Sequence, residues 1–245
     1  MRGKTTAWLQ LFRAVNLPTV PGDILAGAAI ASIHFDGPAP IREISAASAA
    51  SVLLYMFGLA DNDIVGAATD TDRPIPLGLV SMRAARIARA ICLLGAVGVG
   101  LSAALPQPWW PIAFILAVAI VVYNRTKAAI LMGFCRGLNL LLGTATVEIC
   151  LAPWDGLAIH PLVYAAAAVW TLYIAAVTKY SEGEEADPAR RRRVGILIGA
   201  LVWLQLAATL LPAAICGEFH YAAAQAAMIA LLFLLKRLMP KVSAS

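Results

Sequence analysis

Asp61–Gly78 reads DNDIVGAATDTDRPIPLG and overlaps the end of the apolar run Ile44–Asn62, ISAASAASVLLYMFGLADN. Four carboxylates, an asparagine, an arginine and two prolines crowd into this stretch. An ionised side chain at the centre of a bilayer costs at least about 2.5 kcal/mol, so such a cluster at a membrane helix end marks function more often than chance. The stretch reads as a site for a metal-bound diphosphate at the mouth of a helical bundle. The bland alternative is a solvated loop with acidic helix caps and a proline turn.

The rest of the chain supplies the bundle. Of 245 residues, 61% are hydrophobic and 13% charged, and the mean hydropathy is +0.79. A soluble domain carries about 25% charged residues. Recurrent apolar runs of about twenty residues predict an all-α, polytopic membrane bundle. Backbone groups in lipid must pair internally, and the alternation of a membrane β-barrel is absent. The runs are Phe12–Ile33, Ile44–Asn62, Ser81–Leu105, Trp109–Asn124, Ala129–Leu151, Leu162–Tyr180, Val194–Pro212 and Phe219–Met239. The N-terminal MRGKTTAWLQLF is basic like the start of a signal peptide. Pro18, Pro21 and Asp23 interrupt the apolar run where a signal peptide would be most hydrophobic, which predicts an uncleaved first helix.

Basic residues exceed acidic ones by 19 to 14. They gather at the termini and in alternate loops (Arg73 with Arg83, Arg86 and Arg89; Arg125 and Lys127; Lys179 with Arg190–Arg193), while the opposite loops hold only Arg42. This sets orientation rather than signalling nucleic acid, and it predicts cytoplasmic termini and cytoplasmic polar loops in a cell membrane of the bacterial inner-membrane type. Arg190–Arg193 is most simply an orientation signal and an anionic-lipid contact. Cys92, Cys135, Cys150 and Cys216 lack CxxC spacing and read as small buried residues. His34, His160 and His220 have no ligand spacing, which argues against zinc.

A second acidic cluster, SEGEEAD, follows the sixth run as the first follows the second. The layout is a parallel repeat of two four-helix halves, without a linker, so residues 1–245 are expected to form one domain. Asp23, Arg136 and Glu148 are ionisable residues inside apolar runs, where such groups face a bundle interior. Asp23 with the pair Arg136 and Asn139 lines a cavity, or Asp23 pairs with Arg136 as internal glue. Gly133-x-x-x-Gly137 should let another helix approach closely.

Asp63 and Asp70 stand seven residues apart, about two helical turns and so nearly on one face, with Asn62 alongside. Two carboxylates and an amide suit Mg²⁺, a hard cation that completes its shell with water and phosphate. Arg73, on a stiff Arg-Pro-Ile-Pro-Leu-Gly turn, offers a guanidinium fork for phosphate oxygens. Arg125 and Lys127 either hold the same diphosphate from another side or are flanking charges.

Asn62-Asp63, Asp70 and Asp72-Arg73-Pro74-Ile75-Pro76-Leu77-Gly78 together resemble the first aspartate-rich motif of the UbiA family of intramembrane prenyltransferases. Arg13-Ala14-Val15-Asn16 and Tyr123-Asn124-Arg125-Thr126-Lys127 agree in order, so the resemblance spans nearly the whole chain. It implies a bundle around a cavity open to lipid. It also implies a Mg²⁺-dependent transfer of an isoprenyl group from a prenyl diphosphate to an aromatic or other lipophilic acceptor. Asp63 and Asp70 would be the catalytic carboxylates, and the metal would be held by Asp63, Asp70, Glu182 and Glu185. Asn16, Asn62, Arg73, Tyr123, Lys127 and Asn139 would bind substrate.

The chain departs from the family pattern in three places. Gly66 stands where the family has a middle aspartate, and Asp61, about 160° around a regular helix from Asp63, does not replace it. The second cluster offers acidic pairs at three-residue spacing, Glu182 with Glu185 or Glu184 with Asp187, rather than at four. Eight spans are counted where the family has nine. These departures support the alternative of a non-catalytic UbiA-like subunit. It would bind a prenyl lipid or hydrophobic metabolite in a transport or assembly system, as in bacterial Ebo-type clusters.

Overall fold

The computed structural model describes residues 3–33, 39–151, 161–182, 187–217 and 219–239. Among them are nine α-helices and no strand: α1 Lys4–Leu11, α2 Thr19–Ser32, α3 Ile41–Val65, α4 Met82–Ser102, α5 Trp109–Thr126, α6 Ala129–Leu151, α7 Pro161–Ser181, α8 Pro188–Cys216 and α9 His220–Leu238. A 3₁₀ turn, Ala14–Asn16, leads into α2, and a second, Gly66–Ala68, follows α3. Eight segments, α2 with its leading turn and α3 to α9, are long and apolar enough to cross a membrane, as the apolar runs predict. The side chain of Glu148 lies outside the described residues.

α2 is the axis of the bundle. In its span 72% of residues are buried, against 22% in that of α4. A helix surrounded by other helices needs small residues where backbones meet. A Cβ on Gly27 would overlap the Leu140 carbonyl, and one on Gly143 would overlap that of Ile24, so α2 and α6 touch backbone to backbone. Gly133 and Gly137 do the same for α6 against the Thr171 and Ala167 carbonyls of α7. The neighbours follow the repeat: α3 packs on α2 and α4 on α3, as α7 packs on α6 and α8 on α7. Across the halves, α5 lies against α6 and α9 against α2. Large apolar side chains such as Leu94, Phe114, Leu172, Trp203 and Phe233 point outward. A soluble surface does not tolerate such patches in this number, and a lipid-facing one requires them.

Two buried carboxylates tie helices together. Asp23 on α2 is wholly buried. Its Oδ2 lies 2.9 Å from Arg136 Nε and accepts from Asn139 Nδ2 at 3.2 Å. Its Oδ1 accepts from Trp170 Nε1 at 3.1 Å and Gln205 Nε2 at 2.7 Å. One carboxylate therefore joins α2, α6, α7 and α8. Asp61 on α3, also buried, accepts from Arg89 Nη1 of α4 at 2.8 Å and from Asn124 Nδ2 of α5 at 2.9 Å.

Candidate functional site

One face of α3, read back from Asn62, carries Leu59, Gly58, Tyr55, Leu54 and Ser51, and this three-and-four spacing is a single helical stripe. With α5, the first half of α6 and the turn before α2, it walls a cavity of about 350 Å³. Arg13, Asn62, Asp70, Arg73, Tyr123 and Lys127 line its mouth. Leu54, Leu59, Leu116, Ile120 and Met132 line its middle, and Ser51, Arg136 and Asn139 its inner end. Eleven residues of α3 separate Asn62 from Ser51, about 16 Å at the helical rise.

The mouth is held by local structure that the sequence specifies. Past Gly66 the chain does not continue as an α-helix: a 3₁₀ turn follows, in which Thr69 N–H bonds back to the Gly66 carbonyl at 2.9 Å. Glycine is a poor helix former, and the nearby Asp-Arg-Pro sequence resists a further turn. Asp63 and Asp70 therefore do not share a regular helical face, which corrects the expectation from their spacing. Arg73 brings them together: its Nη1 lies 2.8 Å from Asp63 Oδ1 and its Nε 3.4 Å from Asp70 Oδ2. Asp63 is 3% exposed and sits behind this guanidinium, not on the cavity wall, while Asp70 is on the wall. The Arg-Pro turn that carries Arg73 is closed by Leu79 and Val80 N–H bonds to the Pro74 carbonyl and by Gly78 at φ +68°. Its Ile75 and Val80 pack on Ala7, Leu11, Ala60 and Ala85.

Lys127 ends α5 in the left-handed conformation, φ +55°, and its ammonium donates to Asn62 Oδ1 above the Tyr123 ring. Burial pushes the Lys127 pKa down; the nearby Arg73 and Arg13 push the same way, and Asp70 and Asp63 oppose them. Arg13 is also left-handed, φ +42°. Two strained cationic residues at one mouth fit the tendency of backbone strain to gather at functional sites.

Of the residues named from sequence, Asn62, Asp70, Arg73, Tyr123, Lys127 and Asn139 line this one cavity. Asn16 does not; it sits in the turn before α2, where its carbonyl accepts from Thr19 Oγ1 at 2.8 Å. Glu182 is paired with Lys179 at 2.7 Å on an exposed helix end, and Glu185 lies outside the described residues. Among the described residues no three His, Cys, Asp or Glu side chains cluster closely enough to hold a metal ion. Arg125 bonds the Val121 carbonyl and approaches Asp61 at 3.7 Å, away from the mouth. For Asp23, Arg136 and Asn139 both readings hold: Asp23 is internal glue, and Arg136 and Asn139 line the cavity. Sequence reasoning misses Arg13, Tyr55 and Ser51 as cavity residues. The signal for Tyr55 and Ser51 is the helical stripe running back from Asn62. Arg13 stands in plain view in Arg13-Ala14-Val15-Asn16, but there it reads equally well as an orientation charge.

No protein-family model matches the chain. The digeranylgeranylglyceryl phosphate synthase of Methanopyrus kandleri is 33% identical over 132 residues, which are 52% of this chain and 46% of that protein. The chain thus spans about half the length of this curated relative. A solved structure of a digeranylgeranylglyceryl phosphate synthase aligns over 98% of this chain and 92% of its own, with TM-score 0.55 and 18% identity. A UbiA homologue from Archaeoglobus fulgidus, solved with DMAPP and Mg²⁺, aligns over 96% of this chain and 87% of its own, with TM-score 0.58 and 14% identity. The same homologue with GPP and Mg²⁺ gives TM-score 0.59. At these identities the structural likeness is one of fold, and with the eight apolar spans it makes this chain an integral membrane protein with a UbiA-like fold.

Proposed function

We propose that the protein is a Mg²⁺-dependent intramembrane prenyltransferase. It would move an isoprenyl group from a prenyl diphosphate to an aromatic or other lipophilic acceptor. The observation that carries this reading is the polarity of one cavity: three cations, an amide and a carboxylate at the mouth, and an apolar wall behind them. A prenyl diphosphate has that same polarity. The A. fulgidus homologue was solved with such a diphosphate and Mg²⁺.

Asp70 and Asn62 stand on the cavity wall and Asp63 behind Arg73, so these three would hold Mg²⁺ once Arg73 turns to the diphosphate. Asp63 and Asp70 converge on one guanidinium with the Asn62 amide nearby, and such oxygen donors suit Mg²⁺. When bound, Mg²⁺ would neutralise charge on the departing diphosphate. Arg73, Lys127 and Arg13 supply fixed positive charge to the same oxygens, aimed where negative charge grows as the allylic C–O bond ionises. The apolar wall keeps water from the allylic cation until the acceptor captures it. The polar loops would then face the cytoplasm, in keeping with their basic residues.

Two observations favour the second reading, a non-catalytic subunit that binds a prenyl lipid. Gly66 leaves the first motif short of a carboxylate, and Glu182 is engaged by Lys179. Titration of purified full-length protein in lipid nanodiscs with dimethylallyl and geranyl diphosphates, with and without Mg²⁺, separates them. Mg²⁺-dependent binding supports the enzyme; binding indifferent to Mg²⁺, or none, supports the subunit.

A further inference from the structure

The inner end of the cavity is polar at membrane depth, and diphosphate binding does not use it. Ser51 and Asn139 there are 2% and 4% exposed. About 15 Å of α6 separate Asn139 from the mouth, by the helical rise from Ala129. A polar group so far from water is retained only with partners, so its donors and acceptors can be counted.

Asp23 behind the floor is engaged on both oxygens: one accepts from Trp170 and Gln205, the other accepts from Asn139 and forms an ion pair with Arg136. Asn139 spends its N–H groups on the Val20 carbonyl and Asp23, and its oxygen accepts from Ser51 Oγ. Arg136 faces Asp23 with Nε and donates from Nη2 to the Thr19 carbonyl. That leaves Nη1, one N–H of Nη2 and the lone pairs of Ser51 Oγ without partners among the described residues, while Nε meets Asp23 as an ion pair without a hydrogen bond. The free groups are thus guanidinium donors and one hydroxyl acceptor. Asp23 already balances the guanidinium charge.

We propose that Arg136 and Ser51 form a head-group subsite for the second substrate, and that it takes an uncharged oxygen group, above all a hydroxyl, rather than a carboxylate. This rests on the prenyltransferase reading for the word substrate, but its chemistry stands on the floor alone. A hydroxyl oxygen accepts from Arg136 while its proton goes to Ser51 Oγ. A ketone uses the first bond only. A carboxylate brings a second negative charge beside Asp23 with one cation to share, and an unbalanced buried charge is costly. Bound there, a small acceptor extends along the apolar wall toward the mouth.

The test uses the full chain in nanodiscs and three probes matched in ring and size: 4-methylbenzyl alcohol, 4-methylacetophenone and 4-methylbenzoate, with empty nanodiscs as reference. In the wild type the alcohol binds about tenfold or more tighter than the carboxylate. Ser51→Ala weakens the alcohol about fivefold and leaves the ketone unchanged. Asp23→Asn frees the guanidinium charge and shifts preference toward the carboxylate; if that hub variant does not fold, the other two arms decide. A carboxylate that binds as tightly as the alcohol in wild type, or a Ser51→Ala protein that binds the alcohol as before, overturns the proposal. Dimethylallyl diphosphate with Mg²⁺ is titrated in parallel. Discriminating probes without diphosphate binding keep the subsite and remove the prenyltransferase reading; diphosphate binding with indifferent probes does the reverse.

Discussion

Arg73 Nη1 lies 2.8 Å from Asp63 Oδ1, and the same guanidinium reaches Asp70 at 3.4 Å. One guanidinium therefore bridges the two carboxylates assigned to a metal, offsetting part of their charge. Mg²⁺ alone must compete with Arg73, whereas Mg²⁺ with a diphosphate gives Arg73 a new anion to hold. Calorimetry should show Mg²⁺ binding tightened by methylene diphosphonate by about 5–150-fold, the usual span of coupled sites. Arg73→Ala should strengthen Mg²⁺ binding in isolation and weaken diphosphate binding. Equal Mg²⁺ affinity with and without diphosphonate would contradict this exchange.

Lys127 gives the site a pH signature. Burial holds its pKa below the ordinary lysine value of 10.5. Only the ammonium attracts a diphosphate, so affinity is full at pH below the Lys127 pKa and falls as pH rises through it. The fall should begin below pH 10.5 and reach at most about tenfold per pH unit for one proton. Lys127→Arg should flatten the profile over this range, because a guanidinium stays protonated. A wild-type profile that is flat to about pH 10, near the ordinary lysine value, would remove Lys127 from the diphosphate site.

Asp61 and Asp63 are neighbours with different tasks. Asp61 joins α3 to Arg89 of α4 and Asn124 of α5, on the side away from Arg73. Removing one member of a buried pair costs about 3–5 kcal/mol. Arg89 is 36% exposed, so solvent screening reduces this to about 2–3 kcal/mol for Asp61→Ala. The variant should lose thermal stability but bind dimethylallyl diphosphate normally per folded molecule. A loss of affinity with unchanged stability would place Asp61 in the site.

The sequence carried the architecture because lipid enforces it: each span needs an unbroken apolar run, and glycine steps mark where backbones meet. It carried the separation of Asp61 from Asp63, which follows from helical angle alone. It paired Asp63 with Asp70 but on a shared helical face, not through the Arg73 guanidinium that joins them. That depends on where α3 stops, and Gly66 with the turn after it decides this through backbone geometry. Arg13 was hidden for a related reason. A basic residue near a membrane face satisfies the orientation rule wherever it points, and only the left-handed bend after α1 turns it into the mouth.

The basic loops predict a sidedness that labelling can read. Thr71→Cys and Ser181→Cys should react with a membrane-impermeant maleimide from the cytoplasm. Cys216, exposed at the end of α8, should react from the other face. Each is measured in a chain carrying that single cysteine. Thr71 and Cys216 labelled from one side would overturn the orientation.

Release of diphosphate from a radiolabelled prenyl diphosphate by the purified chain, followed with and without Mg²⁺ and scanned over acceptors, tests catalysis at this mouth. Losing a ligand for a metal that acts in the transition state lowers kcat and kcat/KM together, and each 1.4 kcal/mol of barrier is about tenfold in rate. The wild type should turn over only with Mg²⁺, and Asp63→Asn, still folded and inserted, should be slower by about 100-fold or more. No Mg²⁺-dependent turnover with any prenyl diphosphate, together with an Asp63→Asn protein that keeps its cellular role, would make the chain a lipid-binding subunit instead.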